Sequence, residues 1–560
     1  MKRGLYSMMI ALALLTAGCG GGGGSAPVET PSSQLTNDTN DTNDTNESAS
    51  GTNDTNISTM SLYGVLRYER VPVDESGRGL DYEASFLKPV RYVRVEAIGA
   101  DGRVLARTTS DADGKYAFDL PSETQVRVRA YAYMEKEGKP AWKVAVKDNT
   151  DNDLLYAIEG ALAPLNAQTK RRDLTAISGW NEETRTLDDN RRSAAPFAVL
   201  DTIYEAMSKV LSVDADAVFP PLSVFWSPKN TPGGTFDPDN GEIVTSLYID
   251  GDDGSVQEGL YILGKKDVDT DEYDDHVIAH EWGHYYEDKL SRADSIGGNH
   301  SDGDYLDIRV AFSEGFCNAF SAIALNNPVY FDTSGPSQGS GFQFDMEAQT
   351  PINPGWFSEG SVQRIVYDIY DEVDDNSDRL HMGYAPIHEV LTGTQKTTKA
   401  FTSLFSFIHG LKRTHPSDAS AIDAILGDES IAPIEDDYGS GRTNLPEELP
   451  YVSSSDASAV CTTSRYGTNG NNLGNHRYFV FSVNERDNYE ILVSDNATDP
   501  NSDPDFSLYR VDNSFTLIGE SESYTAGEER RSFVLDRGEY LLDIAEYNLI
   551  DRACFSVSVQ

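Results

Sequence analysis

Residues 59–165 alternate apolar and polar side chains with a period of two, which is the pattern of strands buried on one face. The alternation is clearest at 93–97 (VRVEA) and 126–131 (VRVRAY), and Asp-Gly turn signals stand at 101–102 and 113–114. Several short strands joined by tight turns predict an antiparallel β-sandwich over 59–165.

Residues 455–560 return to the same alternation, for example at 478–483 and 540–544. They predict a second antiparallel β-sandwich. Cys461 and Cys554 stand near its first and last predicted strands. In an oxidising compartment we expect these two cysteines to form a disulfide, and two free thiols are the alternative.

The segment between the two sandwiches, residues 166–445, has helical periodicity. Apolar positions recur with helical spacing at 195–211, 273–290, 310–325, 361–373 and 399–411. Short strands are predicted at 222–226, 243–249 and 260–263. The mixture predicts an α+β domain that is mostly helical in its second half. The whole chain is then multidomain, with this domain flanked by two antiparallel β-sandwich domains.

The chain begins with a predicted export signal. Lys2 and Arg3 precede an apolar run at 8–17, and a short basic region before such a run is typical of a secretion signal, here residues 1–18. Residues 19–58 consist mainly of Gly, Ser, Thr, Asn and Asp, so they predict a disordered tether.

The end of this signal, LTAGC at 15–19, resembles a bacterial lipobox, although Leu15 lies one place further from the cysteine than in the usual pattern. The resemblance implies that Cys19 carries a lipid. Because Gly20 follows the cysteine instead of Asp, it also implies an outer-membrane lipoprotein that faces the periplasm or the exterior. Ordinary cleaved export is the alternative.

The 560-residue chain is strongly acidic, with 45 Lys and Arg against 91 Asp and Glu and a net charge of −46. Such a surface repels phosphate backbones, which argues against nucleic acid as a partner. Beyond residue 20, no apolar run reaches the roughly 18 residues of a membrane-spanning helix. We therefore expect membrane contact through the lipid anchor only, and we expect a monomer.

The pentapeptide HEWGH at 280–284 is the strongest chemical signal. His280 and His284 are spaced i, i+4, so on a helix both imidazoles share one face and can reach one Zn²⁺. Glu281 follows the first histidine, where a general base for a metal-activated water is needed. A bare match also arises by chance on exposed helices, but the export signal and a second apolar helix carrying Glu314 favour a metal site.

Together with the helical segment SEG at 313–315, the pentapeptide resembles the gluzincin zinc metallopeptidases, the thermolysin-like clan. The resemblance implies that His280, His284 and Glu314 bind Zn²⁺ and that Glu281 is the general base and later a proton shuttle.

The rival pattern with a third histidine fails, because Glu287 and Leu290 stand at its glycine and final histidine positions. Two features depart from the thermolysin-like pattern. Asn318 stands where that clan has an Asp that orients a ligand histidine, although an amide oxygen can also accept the imidazole N–H. The histidine that stabilises the oxyanion cannot be placed. The open candidates are Tyr367, Tyr384, His381 and His388.

Other acidic residues leave structural Ca²⁺ as an open alternative. Residues 267–271 (DVDTD) begin like a calcium loop, but Gly is missing from the sixth position and Ile278 occupies the twelfth. Charge at a helix N-terminus is the preferred interpretation of this segment. The acidic turn residues considered for Ca²⁺ are Asp237, Asp239, Asp250, Asp252 and Asp253. Cys317, one turn beyond Glu314, is expected to be a buried, inert thiol.

The sequence therefore predicts an exported zinc peptidase that acts on proteins or peptides. Its flanking modules resemble the carboxypeptidase regulatory-like modules (59–165) and the C-terminal jelly-roll modules (455–560) of secreted peptidases. A cell-surface adhesin or binding protein with a structural or vestigial zinc is the alternative. A third possibility is a zinc hydrolase for another substrate, since HExxH fixes the activation of water and not the acyl group.

Overall fold

The computed structural model describes residues 9–11, 58–74, 78–251, 256–347, 351–372, 379–440, 444–445, 448–453, 459–495, 501–512, 515–524 and 526–560. The predicted lipidation site Cys19 lies outside the described residues, as does the tether up to residue 57. Asp252 and Asp253 also lie outside them.

The first region consists of strands and tight turns. Strand β1 (Met9–Ala11) stands apart from it, in the predicted export signal, and pairs in parallel with residues 298–300. The strands of the first region are β2 (Thr59–Arg70), β3 (Phe86–Pro89), β4 (Val93–Gly99), β5 (Val104–Thr109), β6 (Lys115–Pro121), β7 (Gln125–Lys136), β8 (Trp142–Asp148), β9 (Leu154–Leu155), β10 (Ala157–Glu159) and β11 (Ala163–Pro164). Burial alternates strictly along β6, as the period of two predicts. Gly102 and Gly114 close the two predicted Asp-Gly turns with φ of 82° and 74°, a conformation that favours glycine.

The middle region mixes strands and helices. Its elements are β12 (Leu174–Ala176), β13 (Trp180–Asn181), β14 (Thr186–Leu187), α1 (Ala195–Leu211), β15 (Leu222–Trp226), β16 (Leu247–Ile249), β17 (Gly259–Ile262), β18 (Gly264–Lys265), β19 (Asp269–Thr270), α2 (Asp275–Leu290), β20 (Gly298–His300), α3 (Ile308–Leu325), β21 (Val329–Ser334), β22 (Ser340–Asp345), α4 (Glu359–Tyr370), α5 (Tyr384–Val390), α6 (Leu404–Thr414) and α7 (Ala419–Asp428). The five predicted helices are present, with ends shifted by up to five residues.

One mixed sheet joins the first region to the middle region. Its strands run in the order β16-β17-β15-β8-β7-β4-β5. Strands β8 and β15 pair in parallel, with Val146 opposite Val224, so the sheet passes from one predicted domain into the next. Helix α1 packs against β7 and β8, and its buried Val199 and Ile203 belong to the core beneath the sheet.

Glycines let helices α2, α3 and α4 approach one another closely. A Cβ on Gly283 of α2 would lie 2.9 Å from Cys317 Sγ on α3. A Cβ on Gly315 of α3 would lie 2.6 Å from the Cβ of Val362 on α4 and 2.7 Å from the carbonyl oxygen of Glu359. Real side chains avoid such distances, so the three helices pack almost backbone to backbone. This packing brings polar side chains of all three helices into one buried centre.

Helix α3 is the one helix among the described residues that is long and apolar enough to cross a membrane by length and composition. Nearly all of it is buried within the fold, and it carries Glu314 and Asn318 in its interior. Both features fit the core helix of a folded domain.

The last region contains two facing sheets. Its strands are β23 (Tyr451–Ser453), β24 (Val460–Thr462), β25 (His476–Val483), β26 (Asp487–Asp495), β27 (Pro504–Arg510), β28 (Thr516–Ser521), β29 (Glu528–Leu535), β30 (Gly538–Glu546) and β31 (Ala553–Val559). They form the sheets β23-β25-β30-β27-β28 and β24-β31-β26-β29, and a disulfide joins Cys461 of β24 to Cys554 of β31.

Candidate metal centre

Helix α2 places the two motif histidines together. His280 and His284 are 3% and 2% exposed, and their Nε2 atoms lie 3.1 Å apart. The i, i+4 spacing puts both rings on the same face of the helix. The pair therefore offers two imidazole nitrogens to a single ion.

Glu314 of α3 completes a group of three. Its Oε2 lies 3.2 Å from His280 Nε2 and 3.5 Å from His284 Nε2. One ligand atom from each of the three residues lies within 4.8 Å of the others. The structure thus brings the sequence-predicted ligands together, although they come from two helices and Glu314 is thirty residues further along the chain.

Glu281 lies beside this group and is 3% exposed. Its Oε2 has no hydrogen-bond partner, and the same is true of the second oxygen of Glu314. Burial raises the pKa of Glu281, while the neighbouring His280 and His284 lower it. Buried polar atoms without partners are costly, so these oxygens suit a site that takes up an ion and substrate.

Asn318 orients the first histidine. Its Oδ1 lies 2.8 Å from His280 Nδ1, and its Nδ2 donates to Glu359 Oε1 at 2.7 Å and to Gln363 Oε1 at 3.0 Å. Because the amide nitrogen serves two acceptors, its oxygen faces the imidazole and accepts a hydrogen bond from Nδ1–H. His280 Nε2 is then free to bind a metal. Glu359 and Gln363 of α4 were missed by the sequence analysis, since their contact with α3 is purely tertiary.

Three residues surround Nδ1 of the second histidine. Ser313 Oγ lies 3.1 Å from His284 Nδ1 and donates its proton to Glu287 Oε2 at 2.6 Å. Cys317 Sγ lies 3.2 Å from the same nitrogen. Burial raises the pKa of the Cys317 thiol well above its usual value, which keeps the sulfur protonated. These contacts hold the ring so that Nε2 faces Glu314.

His300 at the end of β20 was also missed by the sequence analysis. Its Nδ1 lies 3.0 Å from Glu359 Oε2, and its Nε2 lies 3.6 Å from Glu314 Oε2 without a hydrogen-bond partner. It does not belong to the group of three whose ligand atoms all lie within 4.8 Å of one another. His300 stands in a loop-flanked strand after two glycines, where no local spacing signals a site.

The four sequence candidates for an oxyanion-stabilising residue have other contacts. His388 Nδ1 accepts a hydrogen bond of 2.7 Å from Tyr286, and the ring of Tyr384 packs against Phe320. Tyr367 packs on Tyr370. His381 lies 3.1 Å from the backbone oxygen of Asp371 through Nδ1. Among the described residues, the histidine that reaches the ligand group from outside the motif is His300.

Comparison with known proteins bears on the same region. Residues 216–420 match the model of the Mycolysin C-terminal domain, a peptidase-associated family. The matched range includes His280, His284 and Glu314, so the region that holds these residues is similar to a peptidase-associated domain. No curated protein matches the chain.

Solved structures give weaker likenesses. The pre-peptidase C-terminal domain of a collagenase from Bacillus anthracis is 13% identical, with a TM-score of 0.15, over 20% of this chain and 92% of that chain. A cycloisomaltooligosaccharide glucanotransferase from Paenibacillus sp. is 10% identical, with a TM-score of 0.13, over 89% and 72% of the two chains. A β-glucosidase from Paenibacillus barengoltzii is 8% identical, with a TM-score of 0.12, over 90% and 70%.

Proposed function

We propose that this protein is an exported, zinc-dependent peptidase. The observation that carries the proposal is the buried group of His280, His284 and Glu314, with the unpartnered carboxylate oxygen of Glu281 beside it. The relation of residues 216–420 to a peptidase-associated family supports peptide bonds as the substrate.

The donor set fits Zn²⁺. Two imidazole nitrogens and one carboxylate oxygen are a common zinc ligand set, and three protein ligands leave a position open for solvent or substrate. When bound there, Zn²⁺ supplies Lewis acidity, which polarises a substrate carbonyl and makes water a stronger acid. Asn318 and Ser313 hold the ligand rings in the tautomer that such binding needs.

Glu281 performs the proton transfers in this proposal. It takes a proton from the attacking water and later delivers it to the amine that leaves. Its burial fits the task, because a desolvated carboxylate is a stronger base. His300, fixed by Glu359 and 3.6 Å from Glu314, is a further side chain that could donate a hydrogen bond to a developing oxyanion.

The proposal also covers the location of the protein, its partner and its oligomeric state. The lipid on Cys19 would attach the chain to the bacterial envelope, and the flanking β modules would hold the catalytic region away from the membrane. A protein or peptide is the proposed partner, and a monomer is the proposed state.

One observation favours a second function, a binding protein whose metal is structural. Structural zinc sites are closed by a fourth protein ligand, and His300 Nε2 is the atom that could move in, since it lies 3.6 Å from Glu314 Oε2. In this alternative the metal has no open position and no hydrolysis occurs.

The experiment measures zinc and hydrolysis in the same samples. Bound zinc is measured in the purified protein. The same sample is then incubated with an unbiased peptide library, with and without the zinc chelator 1,10-phenanthroline, and cleavage is measured. The peptidase proposal expects one zinc per chain and cleavage that stops with the chelator and returns with zinc. His300→Ala separates the two functions. The peptidase keeps its zinc in this variant and cleaves more slowly, whereas the closed structural site loses zinc.

A further inference from the structure

Three carboxylates meet outside the zinc centre, at the start of helix α2. Asp269 belongs to β19, Asp271 follows this strand, and Asp332 belongs to the neighbouring β21. One oxygen from each residue lies within 4.8 Å of the others. Asp332 stands more than sixty positions from Asp269, so the cluster depends on the pairing of two strands and not on a local sequence motif.

The middle member of the cluster is buried, and two of the cluster's carboxylate oxygens have no hydrogen-bond partner. Asp271 is 2% exposed, and its Oδ1 has no partner, while its other oxygen accepts from the hydroxyl of Ser246. Oδ1 of Asp269 has no partner either. Burial first, and then the neighbouring carboxylates, raise the pKa of Asp271 well above its usual value.

The acidic residues next to this cluster have hydrogen-bond or ion-pair partners. Glu272 pairs with Arg192 at 2.5 Å, and Asp275 pairs with Arg70 at 2.7 Å. Asp274 is saturated by the backbone N–H and the hydroxyl of Thr333. No Lys, Arg or His among the residues that the structure describes forms an ion pair with the three clustered carboxylates. The fold thus supplies arginine partners to two neighbouring acids and leaves this group without positive charge.

Several negative charges in one buried place are costly unless a cation compensates for them. Carboxylate oxygens are the donors that hard divalent cations prefer. Asp269 and Asp332 are only partly buried, which gives an ion access and leaves room for the water molecules that complete its shell. Ca²⁺ suits such a site better than Mg²⁺, because Ca²⁺ accepts irregular oxygen shells and Mg²⁺ demands a near-ideal octahedron.

We propose that Asp269, Asp271 and Asp332 bind one Ca²⁺ ion that ties β19 and β21 together at the N-terminus of α2. This site is separate from the zinc ligands and differs from the EF-hand pattern, since its third ligand comes from a distant strand. Its role is structural: it fixes the segment that leads into the helix carrying His280 and His284.

The test uses the full chain freed of calcium with EGTA and titrated with Ca²⁺ or with Mg²⁺ alone. Isothermal titration calorimetry should give one Ca²⁺ site, bound more tightly than Mg²⁺, and saturation should raise the unfolding midpoint by roughly 5 °C or more. Asp271→Asn and Asp332→Asn should each weaken Ca²⁺ binding at least tenfold. Asp267→Asn is the matched control, because this exposed residue of the same segment only accepts from the backbone of Ser337.

The unfolding midpoints give a second readout that does not depend on binding heats. Without Ca²⁺, Asp271→Asn should unfold at a higher temperature than the wild type, because one repelling charge is removed; with Ca²⁺ the order should reverse. His280→Ala, which lacks a zinc ligand, should still bind Ca²⁺. The calcium site can therefore be tested even if the zinc proposal fails. The proposal is overturned if the wild type binds no Ca²⁺, or if Asp271→Asn and Asp332→Asn bind it as the wild type does.

Discussion

His280 Nδ1 lies 2.8 Å from the side-chain oxygen of Asn318, and this contact fixes which ring nitrogen carries the proton. The amide nitrogen of Asn318 is held by Glu359 and Gln363, so the amide cannot turn over without losing two hydrogen bonds. These hydrogen bonds connect α2 to α4 through Asn318 of α3. They leave Nε2 of His280 unprotonated and available to bind a metal.

Asn318→Ala should therefore lower the affinity for zinc by about 10- to 100-fold, because the ring loses the acceptor that orients it. Competition with a chromophoric zinc chelator measures this affinity. Asn326→Gly is the control, since Asn326 is the exposed left-handed C-cap of the same helix. Unchanged zinc affinity in Asn318→Ala would contradict the proposed role of Asn318 in orienting His280.

Gly315→Ala should destabilise the protein by about 1–3 kcal/mol, because the added Cβ would overlap Val362 and the backbone of Glu359. Zinc affinity should fall as well, since α3 carries Glu314. Urea denaturation and zinc competition check the two effects. Gly427→Ala, at an exposed position of α7, has no atom within 4 Å of the new Cβ and should be neutral or slightly stabilising.

Arg309→Met should cost about 3–5 kcal/mol, the usual result of removing one partner from a buried ion pair. Arg309 is 1% exposed and binds Asp307 at 2.9 Å and Asp543 of β30 at 2.8 Å. Its loss leaves the buried carboxylate of Asp307 without an arginine partner and leaves Asp543 paired with His476 alone, between α3 and the last region. Urea denaturation measures the change. Arg530→Met, which breaks an exposed pair with Glu490, should cost less than about 1 kcal/mol.

The same ion pair predicts a pH dependence. Burial raises the pKa of Asp543, but Arg309 and His476 outweigh it and hold the pKa below its ordinary value of 3.8. A depressed pKa in the folded state means that the unfolded chain binds more protons, so the stabilisation is complete above pH 3.8 and is lost as the pH falls below it. The stability difference between wild type and Arg309→Met should therefore shrink in acid. A difference that stays constant down to pH 3 would contradict this assignment.

Local sequence patterns predicted the helices, the strands and the HEWGH motif better than they predicted how these elements pack together. The spacing of His280 and His284 is a property of one helix, and the helical SEG segment implied Glu314 by resemblance. The five helices and the turns at Gly102 and Gly114 also follow from neighbouring residues. Apart from Glu314, which the resemblance supplied, these features depend on contacts within one turn or one hairpin.

The rest depends on contacts between distant segments. No periodicity pairs β8 with β15, because a parallel ladder leaves no trace in either strand alone. His300 stands in a glycine-flanked strand without helical spacing, and Glu359 reaches the centre only because Gly315 lets α4 approach α3. Asp332 joins Asp269 and Asp271 through strand pairing. The domain boundary between 165 and 166 and the lipid on Cys19 stay predictions.

The most direct test of the proposed function compares wild type with Glu281→Gln on the same peptide library, with zinc measured in both. Glu389→Gln, on the exposed side of α5, is the matched control. The account predicts one zinc per chain in all three proteins, full cleavage by the control, and hydrolysis by Glu281→Gln that is slower by about 10²- to 10⁴-fold, because the proton acceptor is gone. Full cleavage by zinc-loaded Glu281→Gln would contradict it.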